Sequence, residues 1–222
     1  MTKQMSIDDL YLYRMTHIEN IPHILAHGIT HKTSHNSNPN FVSIGDVSLI
    51  DTRSRKEVSI NNGNINNLYA PTITLGDYIP FYLGVKMPML YVMQHGGNFV
   101  VQATPPQNIV YVVCRIKNIV NAGMTFYFSD GHGTDSLTSF YDTSQINNLP
   151  NIIDWTAIKT SYWAGSENLD LKRKKQAEFL ISEDIPANFI AGYVCYNNTA
   201  KQQLINMGIA DEKIKMIPRA YY

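Results

Sequence analysis

Residues 177–182 read AEFLIS, so a carboxylate, Glu178, heads a run of Phe, Leu and Ile that belongs in a buried strand. Taking an unpaired carboxylate out of water costs several kcal/mol, on the order of the desolvation penalty of a buried ion. Any fold built on this strand must therefore pair the acid or use its charge. Lys172, Arg173, Lys174 and Lys175 stand a few residues upstream. They read as a solvated run ahead of the strand, with a phosphate-contacting patch as the rival reading.

Three further segments, NIVYVVCRI (108–116), MTFYFSD (124–130) and FIAGYVCY (189–196), read as strands by their β-branched and aromatic content. NIPHILAHG predicts a short helix with Asn20 as its cap, Pro22 in its first turn and Gly28 at its end. MPMLYVMQHGG repeats the scheme with Pro88 and Gly96, and WTAIKTSYW and NTAKQQLINMG also read as helices. NNGNINN (61–67) is too polar for an element interior and reads as a loop. Strands and helices without strict alternation point to an α+β fold.

A length of 222 residues, 44% of them hydrophobic, suits one ordinary domain over residues 1–222. A formal net charge of zero argues against bulk polyanion binding but leaves room for a local basic patch. With only Cys114 and Cys195, no disulfide framework is implied, and a reducing cytoplasm is the expected setting. The opening MTKQMSIDDLYLYR lacks the apolar core of a secretion signal. No apolar run approaches the roughly 20 residues of a membrane span, so no membrane partner is expected.

His23, His27, His31 and His35 recur every fourth residue, a spacing that would align metal ligands on one helix. Gly28 should end that helix, so they read as surface histidines and no metal is expected. His17, in LYRMTHIEN, reads on pattern alone as a structural hydrogen-bonding residue. Arg53 and Arg55 read as solvated charges, and DGHG (130–133) as a turn. Both cysteines lie in apolar runs, where inert burial is the better reading. No GxSxG, GxxxxGK[ST] or strand-linked GxGxxG is present.

Six phrases, in order, carry more: LYRMTHIENIPHILAHGI, SIGDVSLIDTRSRKEVSI, DYIPFYLGVKMPMLY, FYFSDGHGTDSLTSFYD, IDWTAIKTSYW and RKKQAEFLI. Together they resemble the DarT-type DNA ADP-ribosyltransferase toxins over nearly the whole chain. Two departures stand out: NNGNINN is longer than that pattern, and Lys86 and Met87 replace an expected Arg-Ser pair. The resemblance implies an ADP-ribosyltransferase-like fold, a mixed central sheet with flanking helices and an NAD-binding cleft. It implies NAD+ as co-substrate without a metal, and single-stranded DNA as acceptor, modified on thymine or, in a related branch, guanine. It also implies a macrodomain antitoxin that removes the mark.

Breaking the nicotinamide–ribose bond builds positive charge on the ribose, as in glycoside cleavage. A carboxylate facing that charge favours the transition state over the ground state. The resemblance gives Glu178 this catalytic role, with Arg55 beside it and Arg53 as the alternative. Thr16, His17 and Gly28 would meet the cofactor, with Met89 and either Tyr82 or Tyr91 near the nicotinamide. Residues from about 130 to 176 would read the DNA, with Phe140, Tyr141, Trp155, Tyr162 and Trp163 able to stack on bases. Trp155 and Trp163 read equally well as core. Lys172, Arg173, Lys174 and Lys175 would hold backbone phosphate. Two other classes stay open: an enzyme of the same fold acting on protein or RNA, and a non-enzymatic nucleic-acid-binding module.

Overall fold

The apolar runs pair into one eight-stranded sheet with packed side chains on both faces. The structure, a computed structural model, describes residues 5–64, 66–97 and 100–222. The chain opens with β1 (Tyr11–His17), α1 (Ile21–His27) and α2 (Val47–Arg55), then β2 (Glu57–Ser59) and β3 (Thr72–Thr74). It continues through β4 (Ile79–Tyr82), α3 (Pro88–His95), β5 (Ile109–Arg115), α4 (Ile116–Asn121) and β6 (Phe126–Ser129). Next come β7 (Phe140–Tyr141), α5 (Leu149–Ile152), α6 (Trp155–Lys159) and α7 (Leu169–Lys175). The last elements are β8 (Glu178–Ile181), β9 (Ile190–Cys195), α8 (Asn198–Asn206) and β10 (Ile214–Met216).

The strand order is β10-β9-β5-β1-β4-β8-β6-β7, with β2 and β3 forming a separate pair. Among the described residues only β10 and β9 run parallel, so the sheet is mixed, as expected. Alternation along β5 sends Val110, Val112 and Cys114 to one core and Ile109, Tyr111 and Val113 to the other. β8 is buried at every position, and Phe179 stacks on Phe126 at 4.7 Å between ring centroids. Each such buried ring contributes about 1.5–3 kcal/mol. Both cysteines are buried, and burial pushes the Cys114 thiol up to about 12 and raises that of Cys195.

The four strands and the helices ended by Gly28 and Gly96 form where the sequence places them. Two readings need correction. Asn20 does not cap α1 with its side chain. Its amide instead donates to Thr16 Oγ1 and the Val42 carbonyl and accepts the Val42 N–H, fastening a distant loop. The helix in WTAIKTSYW stops at Lys159, because Thr160 turns extended, so Tyr162 and Trp163 lie beyond it. No helix among the described residues is long and apolar enough to cross a membrane.

Candidate active site

Antiparallel pairing places Glu178 opposite Tyr82, at the end of β8 where the sheet meets a cleft of about 420 Å³. The strand buries the acid to 1% exposure, and Ser129 fixes its backbone by accepting the Glu178 N–H at 3.1 Å. The same Ser129 hydroxyl donates to the Gly131 carbonyl at 2.7 Å, which ties β8 to the DGHG turn. That turn comes back over the carboxylate: the Gly133 N–H donates to Oε1 at 2.9 Å. A Cβ on Gly133 would stand 3.0 Å from Arg53 Nη1 and 3.1 Å from both Glu178 oxygens, so glycine lets the turn close.

The opposing side is α2. Asp46 caps it, accepting the Leu49 N–H at 3.0 Å. The helix then aims Arg53 inward, with Nη1 donating to Glu178 Oε1 at 2.9 Å and lying 2.8 Å from Oε2. Arg55 faces the opposite way, 76% exposed, and pairs with Asp51 on the outer face. The choice of Arg55 is therefore corrected in favour of Arg53: residues two apart on a helix point about 200° apart.

The pair is incomplete. Arg53 Nη2 and Glu178 Oε2 are buried and make no hydrogen bond. A buried polar atom without a partner costs about 1–3 kcal/mol, and both residues line the cleft. Arg14, on β1, adds a second guanidinium to the lining, donating to the Pro80 carbonyl at 2.9 Å. Burial first, and then the charge of Arg53, lowers the Arg14 pKa to about 10. Burial and the charge of Glu178 raise that of Tyr82, and burial holds the His132 imidazole below its ordinary value.

Among the residues expected to meet a cofactor, Thr16, Gly28, Arg53, Tyr82 and Met89 all line the cleft. Gly28 leaves α1 at φ 80°, and a Cβ there would fall 2.0 Å from the Ile185 carbonyl oxygen. His17 is a correction. It follows Thr16 onto the other side of β1, lines a separate polar recess, and accepts the Glu19 N–H at Nδ1. Tyr91 is another: it points off the outer face of α3 and stacks on His95 at 4.2 Å.

The expected DNA-contacting residues divide by burial. Phe140 is 2% exposed inside a core cluster and has no ring face to offer a base. Trp155 packs against the main core and donates Nε1 to the Pro150 carbonyl, and Tyr141 stacks on Phe128. The basic run is not a solvated string. Arg173 is buried and bonded to Asp170 and Asp130, and Lys174 bonds Asp170 at 2.8 Å. Lys175, 1% exposed, donates to the Ile158 carbonyl, and burial lowers its pKa to about 8. Only Lys172 of the four is exposed. Sequence reasoning passed over Arg14, Asp46 and His132. The phrase FYFSDGHGTDSLTSFYD could have flagged the last, because a glycine on each side of a histidine marks close backbone approach.

The sequence model of one family, described as "ssDNA thymidine ADP-ribosyltransferase, DarT", matches residues 13–222. A DNA ADP-ribosyl transferase of Thermus sp. (strain 2.9) is 31% identical, over 94% of this chain and 89% of its own. A fusion protein of Thermosipho africanus, a DNA ADP-ribosyl transferase joined to a DNA ADP-ribosyl glycohydrolase, is 27% identical over 93% of this chain and 47% of its own. The solved structure of Thermus sp. 2.9 DarT with ADP-ribosylated single-stranded DNA is similar at TM-score 0.79 and 26% identity, covering 96% of both chains. The same protein with NAD+ is similar at TM-score 0.73 and 25% identity, over 96% of this chain and 98% of that one.

Proposed function

Because the chain belongs to the DarT family of single-stranded DNA ADP-ribosyltransferases, we propose that the cleft between Arg53 and Glu178 takes NAD+ and that ADP-ribose passes to thymine in single-stranded DNA. The observation that carries this is the unfinished ion pair. Two buried polar atoms of cleft-lining residues, Arg53 Nη2 and Glu178 Oε2, make no hydrogen bond, and that unused capacity fits a ligand with hydroxyl and anionic groups.

NAD+ bound there supplies ADP-ribose, which becomes electron-poor at the ribose as nicotinamide departs. Glu178 presents negative charge to that centre, and its Oε2, which makes no hydrogen bond, can accept the proton the attacking base nitrogen loses. Arg53 fixes the carboxylate through Nη1 and keeps Nη2 for the ligand. Arg14 and Arg53 together give the cleft the positive charge that a diphosphate needs. Met89 and Met93 supply apolar wall for the nicotinamide. The Gly133 N–H holds Oε1 and so aims Oε2.

We further infer that the whole chain acts as one catalytic domain in the cytoplasm as a toxin. Its mark would be removed by a glycohydrolase partner, which we read as a macrodomain, in line with the fused relative. The test is incubation with NAD+ and single-stranded oligonucleotides of varied sequence, read by mass spectrometry, beside RNA and protein acceptors. Thymine-containing DNA should gain one ADP-ribose. Transfer only to thymine-free DNA would overturn the base assignment, and transfer only to RNA or protein the acceptor.

A further inference from the structure

Resting on that reading, we propose that Tyr91, Trp163 and Tyr222, with Lys86 and Lys172, form a surface beside the cleft that holds nucleotides of the DNA strand flanking the target base. The three rings are in mutual contact. Tyr91 meets Trp163 edge-on at 6.0 Å and Tyr222 at 5.3 Å, and Trp163 Nε1 donates to the Tyr222 hydroxyl at 2.5 Å. Each of two rings carries a lysine: Lys172 Nζ stands 5.2 Å from the Trp163 centroid and Lys86 Nζ 4.9 Å from that of Tyr222. Neither lysine has an ion pair among the described residues, whereas Arg173 and Lys174, next along α7, each have a carboxylate.

Lys86 is held in place at a cost. It sits at φ 60°, a region L side chains rarely adopt. Two tyrosines fix it there: its N–H donates to the Tyr111 hydroxyl at 3.0 Å, and its carbonyl accepts from the Tyr222 hydroxyl at 2.7 Å. Strain retained by such over-determined contacts is typical of ligand clamps. The surface also adjoins the cleft. α3 turns Met89 and Met93 into the cleft and Tyr91 out to this surface, and the charge of Lys172 reaches the cleft residue His132. In a chain of zero net charge, adjacent rings and unneutralised ammonium groups match single-stranded DNA, whose bases stack and whose phosphates need cations. An acidic protein would want the cations but not the rings beside them.

Binding of the full chain to a fluorescent oligothymidine, followed across a salt series, tests this. For single strands the slope of log affinity against log salt is about 0.7 per neutralised phosphate. Lys86→Gln/Lys172→Gln should flatten that slope by ~1.4, and Tyr91→Ala and Trp163→Ala should each weaken binding roughly ten-fold. A variant of merely structural effect would shift the thermal midpoint and leave the slope alone. Because Trp163→Ala removes packing, the exposed Lys172→Gln and Tyr91→Ala serve as independent arms. A wild-type slope in the double lysine variant, with Tyr91→Ala binding as tightly as wild type, overturns the proposal. If the wild-type chain transfers ADP-ribose to the oligonucleotide while those variants bind normally, only this surface fails. If it transfers to no DNA, the reading it rests on fails.

Discussion

Arg173, buried, and Arg53, half-buried, both meet carboxylates, and of these two Arg173 alone has every guanidinium nitrogen bonded. Arg173 donates Nε and Nη2 to Asp170 at 3.0 and 2.9 Å and Nη1 to Asp130 at 3.0 Å. It also bonds through its backbone carbonyl to His132, so the DGHG turn hangs from it. Arg53 gives one nitrogen to Glu178, and each partner keeps an atom in reserve. The closed network leaves no guanidinium nitrogen unused for a ligand and holds architecture. The open one borders the cleft, and the fold leaves its desolvation cost uncompensated there. Burial and charge alone do not separate the two; what separates them is whether every polar atom is satisfied.

The largest expected effect falls on the open pair. Glu178→Gln keeps the shape and removes the charge, and transfer to DNA should drop by at least ~10²–10³-fold, as when a donor to a developing charge is removed. Near-normal transfer by this variant, followed by mass spectrometry, would erase the contrast. Stability should divide the other way. Arg173→Met takes an ion-pair partner from Asp130 and from Asp170, which keeps Lys174, and because both carboxylates are at least partly exposed the loss should be about 1–3 kcal/mol, below the full cost of a buried orphan charge. Arg53→Met/Glu178→Leu replaces a whole buried pair with apolar groups, which is often neutral or stabilising. Its thermal midpoint should match or exceed that of the wild type; a fall as large as that of Arg173→Met would show that the two networks do the same work.

A smaller effect sharpens the geometry. Gly133→Ala puts a methyl against Arg53 Nη1 and both Glu178 oxygens, pushing the turn off the acid. Transfer should fall roughly ten-fold, in keeping with loss of one aimed hydrogen bond, while the unfolding midpoint barely moves. The smallest effect is a pH dependence. The folded-state pKa of His132 lies below its ordinary value, mainly through burial. Above about pH 6.5 the ring is neutral in both states and its contribution is complete. Below that the unfolded chain takes the proton first, so stability falls until the lower folded pKa is passed. The gap between thermal midpoints at pH 7.5 and 5 should narrow in His132→Gln.

The strand bearing Glu178, its neighbours and the glycine-ended helices could be read from the chain because their signals are local: β-branched runs, Pro near a helix start, Gly after its end. The acid itself was conspicuous because an unpaired charge in an apolar run is costly. What escaped depends on contacts distant in sequence. Nothing in DTRSRKE tells which arginine turns inward; that is set by where α2 begins, at the Asp46 cap. The KRKK run looks solvated until α7 lays it against Asp130, Asp154 and Asp170. His17 and Thr16 are adjacent in the chain yet serve different recesses, because strand alternation separates them. Phe140, conspicuous as an aromatic near the turn, closes a core cluster instead.

The chain just beyond Glu178 has a second duty. Ile185 exchanges both backbone hydrogen bonds with Ile29, and Asp184 accepts the His31 N–H at 2.7 Å and the Ser34 hydroxyl at 2.5 Å. One bank of the cleft is thus moored to the same stretch of polypeptide that bears the acid, whereas α2 on the other bank buries none of its residues. Amide exchange should therefore run faster in residues 47–55 than in 178–185.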